Sequence, residues 1–78
     1  MSDYSAYAER QIDLIEDDAL YNAVLDTCEV ILHRPGLAQS LSGVITSEQG
    51  LRLTLQVEGH PEWLVFWSSA GPRIEAVF

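Results

Sequence analysis

The sequence has a single cysteine, no lysine and no long apolar run, and each shortage removes a class of protein. Cys28 alone cannot close an internal disulfide, so the usual staple of small secreted domains is missing. A reducing compartment, the cytoplasm, is therefore expected, with Cys28 as a small buried apolar residue in a helix. No stretch reaches the roughly 18 apolar residues that a membrane span needs. Acidic residues stand near the N-terminus where a secretory leader would be basic, so a soluble chain without membrane contact is expected.

The shortage of positive charge is as informative. Four arginines, Arg10, Arg34, Arg52 and Arg73, face twelve acidic residues, for a formal charge of −8. Binding a polyanion by charge requires clustered Lys and Arg that release counterions, and here the long-range field repels nucleic acid. The acidity is concentrated: Asp3, Glu9, Asp13, Glu16, Asp17 and Asp18 all lie in the first quarter of the chain. Two readings fit them, a solvated helical face with a helix cap, or an acidic docking surface for a basic partner.

What is present is enough for one small folded domain over residues 1–78. With 47% hydrophobic and 21% charged residues the chain is not of disordered type, since disorder combines low hydrophobicity with high charge. A chain of this size buries only about 60% of the surface its unfolded form exposes, so stability is expected to be marginal. No repeat, linker or low-complexity tract divides it.

Residues 1–34 read as helical. Tyr4, Ala8, Ile12 and Ile15 recur at steps of four and three, with Glu9, Asp13 and Glu16 opposite, which predicts a short amphipathic helix over Tyr4–Ile15. Asp17-Asp18 suits the start of a second helix near Ala19, either separate from the first or continuous with it. Leu20, Ala23, Val24, Thr27, Cys28 and Ile31 follow its 3.6-residue period. His33-Arg34 before Pro35-Gly36 marks its end, because Pro disfavours helical geometry in the residue before it. Leu37 to Leu41 reads as a connecting turn that returns both leucines to the core.

From Gly43 the period changes to two, and residues 43–78 read as an antiparallel sheet. Val44-Ile45-Thr46 is a short strand joined through a Ser47–Gly50 hairpin loop to Leu51, Leu53, Leu55 and Val57, which alternate with Arg52, Thr54, Gln56 and Glu58. After the Gly59-His60-Pro61 turn, Trp63-Leu64-Val65-Phe66-Trp67 is apolar at every position, so it is expected inside the sheet with both faces covered. Ser69–Pro72 turns into a last, more weakly alternating strand, Arg73–Phe78. One or two N-terminal helices packed on a three- to four-stranded antiparallel meander is an α+β layer architecture.

If helices cover one face, the other holds Arg52, Thr54 and Gln56 beside either the Trp63, Val65 and Trp67 set or the Leu64 and Phe66 set. Either choice leaves large apolar groups without a helix, the mark of an interface, unless residues 1–15 fold over them as a flap. Arg52, Thr54, Gln56, Trp63, Val65, Trp67 and Arg73 are the candidates for contact with a protein partner or a second copy.

Catalytic chemistry has little footing. There is no Gly-rich phosphate loop, no Cys/His metal spacing and no nucleophile elbow, so no cofactor or metal is expected. His33 and His60 are far apart in sequence, Asp17-Asp18 is explained by capping, and Glu58 and Glu62 flank a turn. The serines at 40, 42, 68 and 69 lack a motif that would activate a hydroxyl.

One resemblance remains. His33-Arg34-Pro35-Gly36-Leu37-Ala38, Leu41-Ser42-Gly43, Leu51-Arg52-Leu53, Gly59-His60-Pro61 before Leu64-Val65-Phe66-Trp67, and Gly71 to Val77 together resemble the RelE/ParE toxin superfamily over residues 19–78. The resemblance implies helices on a curved antiparallel sheet, an antitoxin that wraps the toxin, and either ribosome-dependent mRNA cleavage or gyrase inhibition. For an RNase-type toxin it implies catalytic roles for Arg52, His60 and Arg73. A chain at −8 is poorly suited to stabilise a developing negative charge or to dock on a polyanionic ribosome. The expectation is therefore a non-catalytic or degenerate RelE/ParE-like domain that works by protein binding through its sheet face. The alternatives are an active type II toxin neutralised by an antitoxin, and a small regulatory or structural subunit without toxin activity.

Overall fold

The computed structural model describes residues 3–47 and 50–78, with positions 47, 50 and 51 as backbone. It is an α+β arrangement of α1 (Ala6–Asp13), α2 (Asp18–His33), α3 (Pro35–Leu41), β1 (Gly43–Ser47), β2 (Gly50–Val57), β3 (His60–Ser68) and β4 (Arg73–Val77). The four strands form one antiparallel meander in the order β1-β2-β3-β4. Of the expected Ser47–Gly50 loop, Glu48 and Gln49 lie outside the described residues. No helix among the described residues is long and apolar enough to cross a membrane.

Each of the first two helices has a chemical reason for its start. The Ser5 hydroxyl accepts from the Ala8 amide at 3.0 Å, satisfying a free donor of α1. Asp17 does the same for α2, accepting from the Leu20 amide at 3.0 Å. Leu14 to Asp17 therefore separates two helices, and they are not continuous. Along α2, Val24, Thr27, Cys28 and Ile31 are buried at helical spacing, with Leu20 and Ala23 half-buried beside them.

The expected turn at residues 37–41 is instead a third helix. Pro35 stops α2 but opens α3, because a proline at the first helical position gives up only an amide that would lack a partner anyway. Helical spacing then turns Ala38 inward and leaves Leu37 and Leu41 on the outside, 42% and 63% exposed, so neither leucine returns to the core.

In the sheet Leu53 pairs with Trp67 and Leu55 with Val65, while Thr54 pairs with Phe66 and Gln56 with Leu64. Directly opposed residues share a face, so Leu53, Leu55, Val65 and Trp67 form one face and Thr54, Gln56, Leu64 and Phe66 the other. Helices cover the first. Its Val65 and Trp67 are fully buried with Ile74 and Val77 of β4 and with Ala8 and Ile12 of α1. β3 is thus inside the sheet as expected, but only one of its faces is covered. Leu64 and Phe66 remain half-exposed, and α1 lies in the helical layer rather than over them.

Two irregularities shape the strands. Between Gln56 and Val57 the partner on β3 jumps from Leu64 to His60, leaving Pro61 to Trp63 outside the ladder. That is where a residue without an amide hydrogen can be placed, and the Gln56 side-chain amide donates to the Pro61 carbonyl at 2.9 Å. Between β3 and β4, Phe66 pairs with Ala76 and Trp67 with Ile74, so Glu75 is the extra residue of a bulge. Gly59 makes the tight β2–β3 turn possible by adopting φ +80°.

The two edges of the sheet differ. Beside β4, Asp3 to Ser5 runs as a short parallel stub: Ile74 donates its amide to the Asp3 carbonyl at 2.8 Å and accepts from the Ser5 amide at 2.9 Å. The Ser5 hydroxyl donates to the Glu75 carbonyl at 2.7 Å, and the Val77 amide donates to Oε1 of Gln11 at 2.7 Å. At the other edge, among the described residues, β1 pairs only with β2.

Candidate functional site

The surface with most functional content is the sheet face that no helix among the described residues covers. Its centre is apolar and comes from β3 and the C-terminal end of the chain. Leu64 exchanges backbone hydrogen bonds with Phe78, at 2.8 and 3.1 Å, and Phe66 stands opposite Ala76. The rings of Phe66 and Phe78 are tilted at 37° with centroids 5.0 Å apart, a favourable aromatic geometry that shields each ring in part while Phe78 stays 54% exposed. Thr54 and Gln56 flank this strip on β2, and Ile45 of β1 lies on the same face because it opposes Arg52.

Charge sits at one end. Arg52 precedes the Leu53–Trp67 pair and Arg73 opposes Ser68, so both arginines stand at the same end of the sheet. The Ser68 hydroxyl donates to Oε2 of Glu75 at 3.1 Å, which places the carboxylate of the bulge residue in that row as well. His60 opposes Val57 at the far end. Five residues of strand separate Val57 from Arg52, roughly 16 Å at 3.3 Å per residue. The three residues expected to act together in an RNase-type toxin are therefore divided, two at one end of the sheet and one at the other.

The partner-contact candidates divide in the same way. Arg52 and Thr54 are half-buried on the open face, with Gln56 exposed beside them, and Arg73 is exposed at its rim. Val65 and Trp67 have 0% exposure and offer nothing to a partner, while Trp63 is half-buried against the core. Leu64, Phe66 and Phe78 supply the apolar surface in their place. The signal for Leu64 and Phe66 was present in the sequence as one of two alternating sets.

Other parts of the molecule carry less chemistry. A groove of about 380 Å³ runs between α2 and the end of β2, lined by Thr27, Val30, Leu41 and Leu55 with Asp26 and Glu58 at its rim. It contains neither a histidine nor a lysine and pairs no nucleophile with a base. Cys28 is fully buried and shares a hydrogen bond with the Tyr4 side chain. Burial pushes the thiol up to about 12 against the opposing pull of that hydrogen bond, and burial followed by the nearby thiol pushes Tyr4 up to about 12. A thiol so protonated is not a nucleophile near neutral pH. Among the described residues no group of three or more His, Cys, Asp or Glu could hold a metal ion.

Comparisons with known proteins return no matching family model, no matching curated protein and no matching solved structure.

Proposed function

We propose that this chain is a RelE/ParE-like domain without catalytic activity, and that it works by binding a protein partner through the open face of its sheet. The observation that carries the reading is the strip of Leu64, Phe66 and Phe78, three large apolar side chains on a face that no helix among the described residues covers. Contiguous apolar surface left in water is the usual mark of an interaction site, because a partner that covers it removes that area from solvent. Aromatic anchors ringed by polar groups are also the usual composition of a binding hot spot. Arg52 and Arg73 at one end supply orientation through bidentate pairs with partner carboxylates. The layer order, helices on one face of an antiparallel sheet, is the one the family resemblance implies. The separation of His60 from both arginines supports the non-catalytic form of the reading over the active toxin.

The test has two arms. Tightly controlled expression in a bacterial host, beside an Arg52→Ala/Arg73→Ala variant at matched level, is expected to leave growth unchanged for both. Arrest by the parent alone would establish the active-toxin alternative instead. In the second arm the tagged chain is purified from its native host beside a Phe66→Glu variant. A stoichiometric companion is expected with the parent and absent with the variant; retention by the variant would remove the open face from the reading.

A further inference from the structure

We infer that the free edge of β1 pairs with the same edge of a second copy of this chain, joining the two four-stranded sheets into one continuous sheet in a closed two-fold dimer. This goes beyond the open-face reading, since the edge and the face are different surfaces.

Three observations carry it. The first is the asymmetry of the edges. β4 is closed by the chain itself through Asp3, Ser5 and Gln11, which use the Ile74 and Val77 amides and the Ile74 and Glu75 carbonyls. Among the described residues β1 has only β2 as a neighbour. A strand edge is self-complementary, since its row of amides and carbonyls can pair antiparallel with an identical row about a two-fold axis. With the opposite edge closed, the pairing stops at two copies and cannot propagate into a fibre.

The second is the character of the edge. Val44 faces the helical side of the sheet yet is 62% exposed, so the helical layer ends short of β1; Ile45, on the open side, is 45% exposed. Isolated edges are ordinarily protected by an inward charge, a lysine, a proline or a bulge. β1 has none of these, and its Val-Ile-Thr centre is β-branched throughout, which suits a strand with neighbours on both sides.

The third is charge. Two copies at −8 each repel, and any shared surface must avoid the acidic residues. From Pro35 to Thr46, across α3 and β1, there is no Asp, Glu, Lys, Arg or His. That neutral stretch also holds the exposed Leu37 and Leu41. The apolar β1 edge therefore lies in a stretch with no charge of its own, next to Arg52 of β2 opposite Ile45, where two such anions can approach with least repulsion.

The experiment is sedimentation velocity of the full chain across its soluble concentration range, beside Val44→Lys/Ile45→Lys and Phe66→Glu. The parent is expected to reach the mass of two chains and to go no further. Its association is expected to tighten with added salt, because screening relieves the net repulsion while the neutral contact is unaffected. The double lysine variant is expected to weaken association by roughly a hundredfold, since it places like charges opposite one another across the axis. Phe66→Glu is expected to leave association unchanged. If the double variant loses its far-UV spectrum, Ile45→Lys alone, at an already exposed side chain, gives the same reading. A parent that stays monomeric at its highest soluble concentration overturns the inference, as does an edge variant that still dimerises. Loss of the dimer in Phe66→Glu but not in the edge variant assigns self-association to the open face and overturns edge pairing alone. Loss of partner binding with the dimer intact leaves edge pairing standing and separates the two surfaces.

Discussion

The indole N–H of Trp67 donates to the hydroxyl oxygen of Ser42 at 3.1 Å, and the same hydroxyl donates to the Ala38 carbonyl at 2.7 Å. Trp67 is the largest fully buried side chain, and its one polar group would be stranded in the core without this acceptor. Ser42 sits between α3 and β1, so a single hydroxyl joins the end of a helix to the centre of the sheet. Ser42→Ala is expected to cost about 1–3 kcal/mol, the usual penalty for a buried donor left unpaired, measured by urea unfolding. Ser42→Thr, which keeps the hydroxyl, is expected to recover part of that loss.

Phe66 and Trp67 are neighbours in sequence with opposite environments. Trp67→Ala is expected to destabilise the fold by about 3–5 kcal/mol, enough to unfold a domain of this size, because it empties the core. Phe66→Ala is expected to cost about 1 kcal/mol or less, because it removes a half-exposed ring and opens no cavity. Comparable losses at both positions, in a denaturant series, would show that the open face is packed as a core.

Ser5 serves both α1 and β4, accepting from Ala8 and donating to the Glu75 carbonyl. Ser5→Ala removes a helix cap and a buried tether together, and is expected to cost about 1–2 kcal/mol. Hydrogen exchange is the discriminating readout: the Ile74 and Val77 amides are expected to lose protection more than those of β2.

Alkaline pH is expected to weaken the fold through Tyr4 and Cys28. Both are held at about 12 in the folded chain, above ordinary values of 10.0 for the phenol and 9.0 for the thiol. The unfolded chain therefore gives up these protons first, and it binds fewer protons than the folded chain throughout this range. Their contribution is complete below about pH 9 and is lost as pH rises towards 12. Chemical unfolding at successive pH values checks this, and Tyr4→Phe is expected to flatten the upper part of the decline.

The parts of the fold that were legible in the sequence are those written in local periods. Leu53, Leu55 and Val57 alternating with Arg52, Thr54 and Gln56 identify β2 and both its faces, and α2 follows from its apolar stripe and its Asp17 cap. The Trp63–Trp67 run states that a strand is there but not which way it faces, because every position is apolar and a period of two cannot show. Packing against Ile74, Val77 and α2, with Ser42 as the acceptor for Trp67, decides it. Pro35-Gly36 was informative as the stop of α2 and misleading about the next element, since the same proline can open a helix. The strand irregularities at Gln56 and Phe66 leave no composition signal, and without them the distance of His60 from the arginines cannot be read.

The contacts that close the β4 edge have a kinetic side. Ser5 and Glu75 lie 70 residues apart in sequence, and Gln11 and Val77 lie 66 apart. By contrast the three hairpins of the meander join neighbours. Closing so long a loop costs entropy that local pairs do not lose, so the meander and α2 can form early while α1 waits for β4. On a ribosome α1 would then emerge well before β4 and stay undocked, held without its partner until that strand is free. During that interval both edges of the nascent sheet are open, and the stub from Asp3 to Ser5 acts as the latch that ends it.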